Sequence, residues 1–339
     1  MAEQIYLITD YKNFFGSKYI TNQYRSGFDK NLLIKLFYDC GYIVKFINPS
    51  VDGIDFKNLE HKVVLYTSQE DYGLFYKSFL EDIVLTLEFL GAIVIPSFKL
   101  LHAHENKVFF EMIRKSTGLS LINIPRSQWF GTFEDFKSNI GNIKYPLVVK
   151  SSSGSMSRGV SLAKSKKEGE KLIKKISRTN NSFLRLWDKI RYLKHDGYIP
   201  ESWNRRKFIV QEYIPGLVND FKVLVFGNKY YVLKRGNKKG DFRASGQGNL
   251  SFIRDVPEGL LNYSEECFKF FNCPQASFDI GFDGNKFYLF EAQFVYFGTY
   301  TIEYSEFYFK KESGFWIVKE GKSILEIEYV QSIVEFLSY

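Results

Sequence analysis

The chain has 339 residues, of which 45% are apolar and 25% charged, with an unusually large load of 34 Phe and 23 Tyr. That composition is ordinary for a soluble globular protein and supplies two to three structural units with a real core. The formal net charge of +8 favours anionic ligands in general, and nucleotide, nucleic acid, acidic peptide and acidic glycan all fit it. Cys40, Cys267 and Cys273 lack metal-ligand spacing, and their odd number fits a reducing compartment. The opening MAEQIYLITDY shows no basic n-region or apolar h-region. The most apolar helical stretch, 79–96, contains Glu81, Asp82 and Glu88, which excludes a membrane span. The expectation is a cytoplasmic protein.

In chain order, Ile5-Tyr6-Leu7-Ile8 reads as a buried strand, and the polar and aromatic loop from Asp10 to Gly27 is long enough to suspect a binding role. Leu32, Leu33, Leu36, Phe37 and Cys40 follow Asp29 at helical spacing, and Gly41 is placed to end that helix. Strands at Tyr42–Ile47 and Val63–Tyr66, a helix over 74–90 and a strand over 92–95 complete a βαβ alternation. Residues 1–98 are therefore expected to form a small open parallel α/β domain. A helix over 105–116 leads to a short strand near Ile124. A strand–loop–strand unit spans 145–163, and a basic helix spans 166–176. Residues 183–207 show no clear periodicity and carry seven basic side chains. After it come a strand at 208–213, a hairpin around Gly227-Asn228, a glycine-rich loop over 236–248 and a helix over 258–271. The last forty residues give an aromatic segment, a strand near 315–318 and a helix from Ser323.

Three stretches carry candidate chemistry. In the first, Lys150 ends a buried strand and the small-residue loop Ser151-Ser152-Ser153-Gly154-Ser155-Met156-Ser157-Arg158-Gly159 follows. Glycines admit close approach of backbone N–H groups to a phosphate, and hydroxyls add donors. It is not a Walker loop, because no Gly-Lys-Ser/Thr is present and a strand follows. A flexible surface hairpin is the competing reading. In the second, a two-residue turn at Gly227-Asn228 places Asp220 opposite Arg235, with Lys222 on the same face. A rim ion pair is the competing reading there. In the third, Ser277–Phe282 and Lys286–Ala292 flank Asp283-Gly284-Asn285, and Glu291 and Gln293 share a strand face. A two-residue turn would put Asp279 on the other face, whereas a three-residue loop or a bulge would bring Asp279, Glu291 and Gln293 together. Two carboxylates and an amide on one face suit a hard cation such as Mg²⁺, and a solvated polar face is the bland alternative.

The order and spacing of Lys107, Lys150 with its loop, Gln211-Glu212-Tyr213-Ile214, Asp220, Arg235, Asp241-Phe242-Arg243 and Asp279/Glu291/Gln293 resemble the ATP-grasp superfamily. The likeness is greatest to its glutathione synthetases and ribosomal-protein glutamate ligases. It covers roughly 105–301. It implies an α/β, more narrowly α+β, fold: a pre-grasp domain at 1–98, a small subdomain at 99–209 with the basic insert 183–207, and a C-terminal subdomain at 210–339 carrying the metal site. The two subdomains would clasp the nucleotide.

The resemblance implies that Lys107, Lys150, Ser152, Ser153, Gly154 and Ser155 contact ATP. Gln211, Glu212, Tyr213 and Ile214 would lie along the adenine edge, with Asp220 nearby. Arg235, Arg243 and Lys222 would face the reacting groups, and Asp279, Glu291 and Gln293 would hold Mg²⁺. The chain departs from the family pattern at Lys222, where arginine is usual, and at Ala244-Ser245, where an asparagine is usual. Gln293 stands where asparagine is usual, and Phe294-Val295 follow it in place of Pro-Gly.

The implied activity is an ATP-dependent carboxylate–amine ligase working through an acylphosphate. The alternative is a phosphotransferase acting on a hydroxyl of a small molecule or sugar. The basic insert is expected to guide an acidic or extended acceptor, either a peptide or a cell-surface glycan; a solvated helical insert is its bland reading. Nucleic acid is disfavoured, since no stacking or helix-turn-helix motif accompanies the basic segments. A homodimer stays open.

Overall fold

The computed structural model describes residues 3–21, 26–68, 73–116, 125–139, 144–154, 159–179, 182–217, 219–236 and 249–338. The chain divides into two compact units: residues 1–104 together with 218–339, and residues 105–217.

In the first unit, strands β1 (Glu3–Ile8), β2 (Tyr42–Ile47), β3 (Val63–Tyr66) and β4 (Ile93–Ile95) form a parallel sheet in the order β2-β1-β3-β4. Helices α1 (Lys30–Asp39), α2 (Phe75–Phe89) and α3 (Phe98–Ala103) accompany it. Asp29 caps α1 by accepting from the backbone N–H groups of Asn31 and Leu32, and Gly41 follows the helix at φ +89°, as its place in the sequence predicts. Tyr6, Ile8, Val64 and Tyr66 pack on Leu80, Ile83, Val84 and Leu87 of α2. Ile5, Leu7, Val63 and Leu65 face the other way, against Leu33 and Phe37 of α1.

The second unit opens with α4 (Lys107–Ser116) and contains β5 (Ser127–Phe130), α5 (Phe133–Asn139), β6 (Leu147–Ser151), β7 (Val160–Ala163), α6 (Lys166–Ser177), α7 (Ser182–Lys194) and β8 (Phe208–Glu212). Its antiparallel sheet runs β5-β8-β6-β7. Leu147, Val149, Phe208 and Val210 point into a core with Phe133, Phe136 and Ile173. The strand expected near Ile124 falls outside the described residues. The 183–207 segment, read as lacking periodicity, begins with helix α7. Apolar residues on several of its faces, Leu184 and Tyr192 among them, hide the helical period in the sequence.

The first unit resumes with β9 (Asn219–Phe226), β10 (Lys229–Gly236), β11 (Leu250–Phe252), α8 (Leu260–Phe271), β12 (Gln275–Phe282), β13 (Phe287–Gln293), α9 (Tyr300–Tyr304), β14 (Phe307–Glu312), β15 (Phe315–Glu320) and α10 (Leu325–Leu337). The strands form a seven-stranded sheet, β13-β12-β9-β10-β14-β15, with β11 also on β10. The segment read only as aromatic is strand β14, which pairs with β15. Tyr329, Val330 and Ile333 of α10 join Ile5, Leu7 and Phe37 in one core, so the two separate stretches of this unit share an interior.

Candidate active site

The acid-bearing hairpin is built by a loop and a bulge acting together. Phe282 pairs with Phe287, leaving a four-residue loop, Asp283 to Lys286. Asp283 shapes it by accepting from the backbone N–H groups of Asn285 (2.8 Å) and Lys286 (2.7 Å), and Gly284 takes φ +95°. Those hydrogen bonds hold the Asp283 carboxyl below the usual carboxylate range. Extended without interruption, that register would set Asp279 opposite Phe290. The ladder instead shifts after Asp279: Ile280 pairs with Leu289, and Asp279 pairs with Glu291. Phe290 is the extra residue of a bulge, and its displacement puts Glu291 and Gln293 on the face of Asp279. The sequence left a three-residue loop or a bulge as the ways to achieve this; a bulge does so here.

Register across β9, β10 and β12 extends the face. Asp279 pairs with Lys222, Asp220 with both Gly281 and Arg235, and Ser277 with both Leu224 and Gln293. Glu291, Asp279 and Lys222 thus stand side by side across three strands, with Asp220 and Arg235 in the next row. Arg235 donates to both carboxylate oxygens of Asp220, through Nε at 2.6 Å and Nη2 at 2.7 Å. Its Nη2 also reaches Asp279 Oδ2 at 2.9 Å, and Lys222 Nζ lies 3.8 Å from Asp279 Oδ1. The far end of this face is apolar: Leu224, Phe226 and Tyr231 are covered by Phe297, Ile302 and Leu325. The charged end, with Gln293 at its border in the row of Leu224, is the part of this face left for chemistry.

The electrostatics follow from burial. Asp220 is pushed up to about 6 because burial outweighs the attraction of Arg235. Burial pulls Lys222 below the usual lysine range against the opposing pull of Asp279. Burial also works against the charge on Arg235, but Asp279 and Asp220 outweigh it and hold the guanidinium charged. Two cations are thereby set against three carboxylates on one sheet face.

In the 105–217 unit, Lys107 opens α4. Its backbone N–H donates to Ser152 O, and its Nζ donates to Gly154 O, each at 2.8 Å. Ser151 Oγ donates to Ser153 O at 2.7 Å, and Ser151 N–H donates to Gly159 O at 3.0 Å. The described part of the small-residue loop is therefore folded onto Lys107. Asn106 is the node that sequence reasoning missed. Its Oδ1 accepts from Ser152 Oγ (3.2 Å), Lys207 Nζ (2.9 Å) and Phe109 N–H (3.2 Å). An asparagine directly before a helix is the signal that could have found it.

Lys150 lies on β6 opposite Ile209, on the sheet face that also carries Val148 and Gln211. Gln211 is buried, and its Nε2 lies 3.4 Å from Glu111 Oε1. Glu111 also accepts from Arg114 and, at 2.6 Å, from Ser127 Oγ. Glu212 ends β8, and Tyr213 and Ile214 follow it half-buried. Ser155, Arg158 and Arg243, with the rest of the 237–248 loop, lie outside the described residues.

A sequence profile described as a RimK-like ATP-grasp domain matches residues 95–251. No curated protein sequence matches the chain. Among solved structures, the chain is similar to D-cycloserine synthetase DcsG, with 13% identity and a TM-score of 0.54 over 98% of this chain and 99% of that one. It is also similar to macrocyclase MdnC bound with precursor peptide MdnA from Microcystis aeruginosa MRC. There the identity is 13% and the TM-score 0.50, over 99% of each chain. Residues 95–251, just under half of the chain, thus carry a RimK-like ATP-grasp domain, and the whole chain shares the fold of these two structures.

Proposed function

We propose that the protein is an ATP-dependent carboxylate–amine ligase that forms an amide bond through an acylphosphate. The observation that carries this reading is the row Glu291–Asp279–Lys222 with Arg235 bonded to Asp279, a charged face with no nucleophile at its centre. Phosphoryl transfer to a carboxylate needs positioned charge more than a protein nucleophile. In this reading 1–98 is the pre-grasp part, 99–209 the small subdomain and 210–339 the C-terminal subdomain.

The donor set fits Mg²⁺. Among the described residues no group of three or more His, Cys, Asp or Glu is placed to hold a metal, but Mg²⁺ is commonly held by one or two carboxylates plus substrate phosphates. Asp279 and Glu291 supply the carboxylates and Gln293 an amide oxygen. The buried Ser277 hydroxyl beside Gln293 has no partner among the described residues and leaves a polar position unfilled on that face. When bound, the ion would neutralise phosphate charge during transfer.

The chain's own residues do the rest. Lys107, Lys150 and the backbone of Ser152, Ser153, Gly154 and Ser155 bind the phosphates, and Gln211 to Ile214 take the adenine. Asp220 holds Arg235 in a fixed plane. Arg235, Lys222 and Arg243 orient the substrate carboxylate and offset the charge that gathers as its oxygen attacks the γ-phosphorus and ADP departs. An amine then attacks the acyl carbon, phosphate leaves, and the amine proton passes to solvent. The acceptor amine belongs to an amino acid, a peptide or a glycan.

Two measurements test this. Glu291→Ala should lower ATP-dependent product formation by roughly a hundredfold or more with the fold retained; unchanged turnover would remove the metal assignment. Hydroxylamine added to enzyme, ATP and pooled carboxylates should yield a hydroxamate, detected by mass spectrometry. A phosphorylated product without hydroxamate would assign the site to phosphotransfer instead.

A further inference from the structure

Helix α7 carries its apolar stripe on the wrong side for a core helix. At about 100° per residue, Leu186, Ile190 and Leu193 fall on one line with Trp187 beside them, and Asp188 falls on the opposite side. Asp188 is buried and accepts from the hydroxyl of Tyr198, in the segment that follows the helix, so the acid is covered by its own unit. The apolar side faces away: Leu186 is 58% exposed, Ile190 41% and Leu193 84%, and Ile199 just beyond the helix is 86% exposed. The exposed cations Arg185, Lys189 and Lys194 flank this stripe, Arg191 lies on the side of Asp188, and Arg185 also lies over the Trp203 ring. The one acid of the helix is thus removed from the surface, while leucine and isoleucine stand out among lysine and arginine.

The charge of the surrounding unit points the same way. Residues 105–217 hold 22 Lys and Arg against 10 Asp and Glu, whereas the remaining residues hold 24 against 28. The unit that presents α7 therefore carries more than the whole positive excess of the chain. An exposed helix with an apolar stripe, flanking long cations and no exposed acid is the pattern of a segment that lies in a membrane interface. Its cations snorkel to anionic headgroups, and its leucines enter the acyl boundary. The residues sit on the outside of one helix rather than around a groove, which favours a bilayer over a peptide as the occupant.

We propose that α7 docks this protein onto the surface of an anionic lipid bilayer. No helix among the described residues is long and apolar enough to cross a membrane, so the association is peripheral and reversible.

The test uses the full chain with vesicles of phosphatidylcholine, with and without phosphatidylglycerol. The protein should sediment with phosphatidylglycerol vesicles, release as salt rises and ignore neutral vesicles. Leu186→Ser/Ile190→Ser/Leu193→Ser should weaken binding by about tenfold or more with an unchanged thermal transition. Lys189→Glu/Lys194→Glu, which leaves the apolar stripe intact, should weaken it as well and serves alone if the triple variant fails to fold. Absence of vesicle binding by the unmodified chain would overturn the proposal, as would wild-type binding by a folded charge variant. A lipid-free dimer that the triple variant dissolves, without vesicle binding, would assign the stripe to a second copy. Capture of a polyglutamate peptide without vesicle binding would assign it to an acidic peptide.

Discussion

Arg235 makes three short contacts to two carboxylates, and no other cation type could make them all. Its planar fork matches Asp220 with two parallel bonds and still presents Nη2 to Asp279. A lysine would supply one point charge and lose the plane. Removing Asp220 leaves the guanidinium buried beside a single carboxylate, so Asp220→Ala should destabilise the protein by about 3–5 kcal/mol. The fall in urea midpoint measures it; a loss under 1 kcal/mol would place the pair on a solvated rim. The Asp220–Arg235 pairing was readable from the two-residue turn at Gly227-Asn228. The reach of Arg235 to Asp279 was not, because it needs β12 beside β9, a pairing that joins residues as far apart in the chain as Asp220 and Gly281.

The bulge at Phe290 decides whether the acid pair exists at all. Gly281 is part of the same device: a Cβ there would come within 2.3 Å of Phe290 Cε2, so the ring occupies the space glycine leaves. Gly281→Ala should cost roughly 1–3 kcal/mol by overpacking and should disturb the Asp279–Glu291 pairing. Adding Phe290→Ala should recover part of the first loss, and a double-mutant cycle of unfolding free energies reads the coupling. Additive effects would deny the contact. Alternation located Glu291 and Gln293 on one face, and the turn residues located a loop at Asp283-Gly284-Asn285. The loop length and the bulge are settled by Asp283 hydrogen bonds and by ring packing, neither of which a period-two pattern encodes. The same limit explains α7, where exposed apolar residues lie on further faces besides the stripe, so the period that marks a core helix does not stand out.

At the scale of the molecule, β1 to β4 were legible because βαβ alternation is local, and all four strands were located to within two residues at either end. The cover of that sheet was not legible. Tyr329, Val330 and Ile333 arrive on it from the far end of the chain, and Glu326 beside them is fully buried, accepting from Lys18 Nζ at 2.6 Å and the Asp29 N–H at 3.0 Å. Ile333→Ala should therefore cost about 2–5 kcal/mol, and the loss should appear in hydrogen exchange of β1 as well as of α10. Protection of β1 that survives the substitution would show the sheet to be independent of the helix.

That shared core sets an order of assembly. During synthesis, residues 1–104 leave the ribosome with the Ile5–Leu7–Phe37 surface still uncovered, while residues 105–217 emerge as one uninterrupted unit able to close on its own. The sheet that is translated first is thus completed last, when α10 is released. A nascent chain that has emerged through β8 but not through α10 would carry a finished 105–217 unit and an unfinished first unit, with the apolar face of its sheet open to chaperones for the interval.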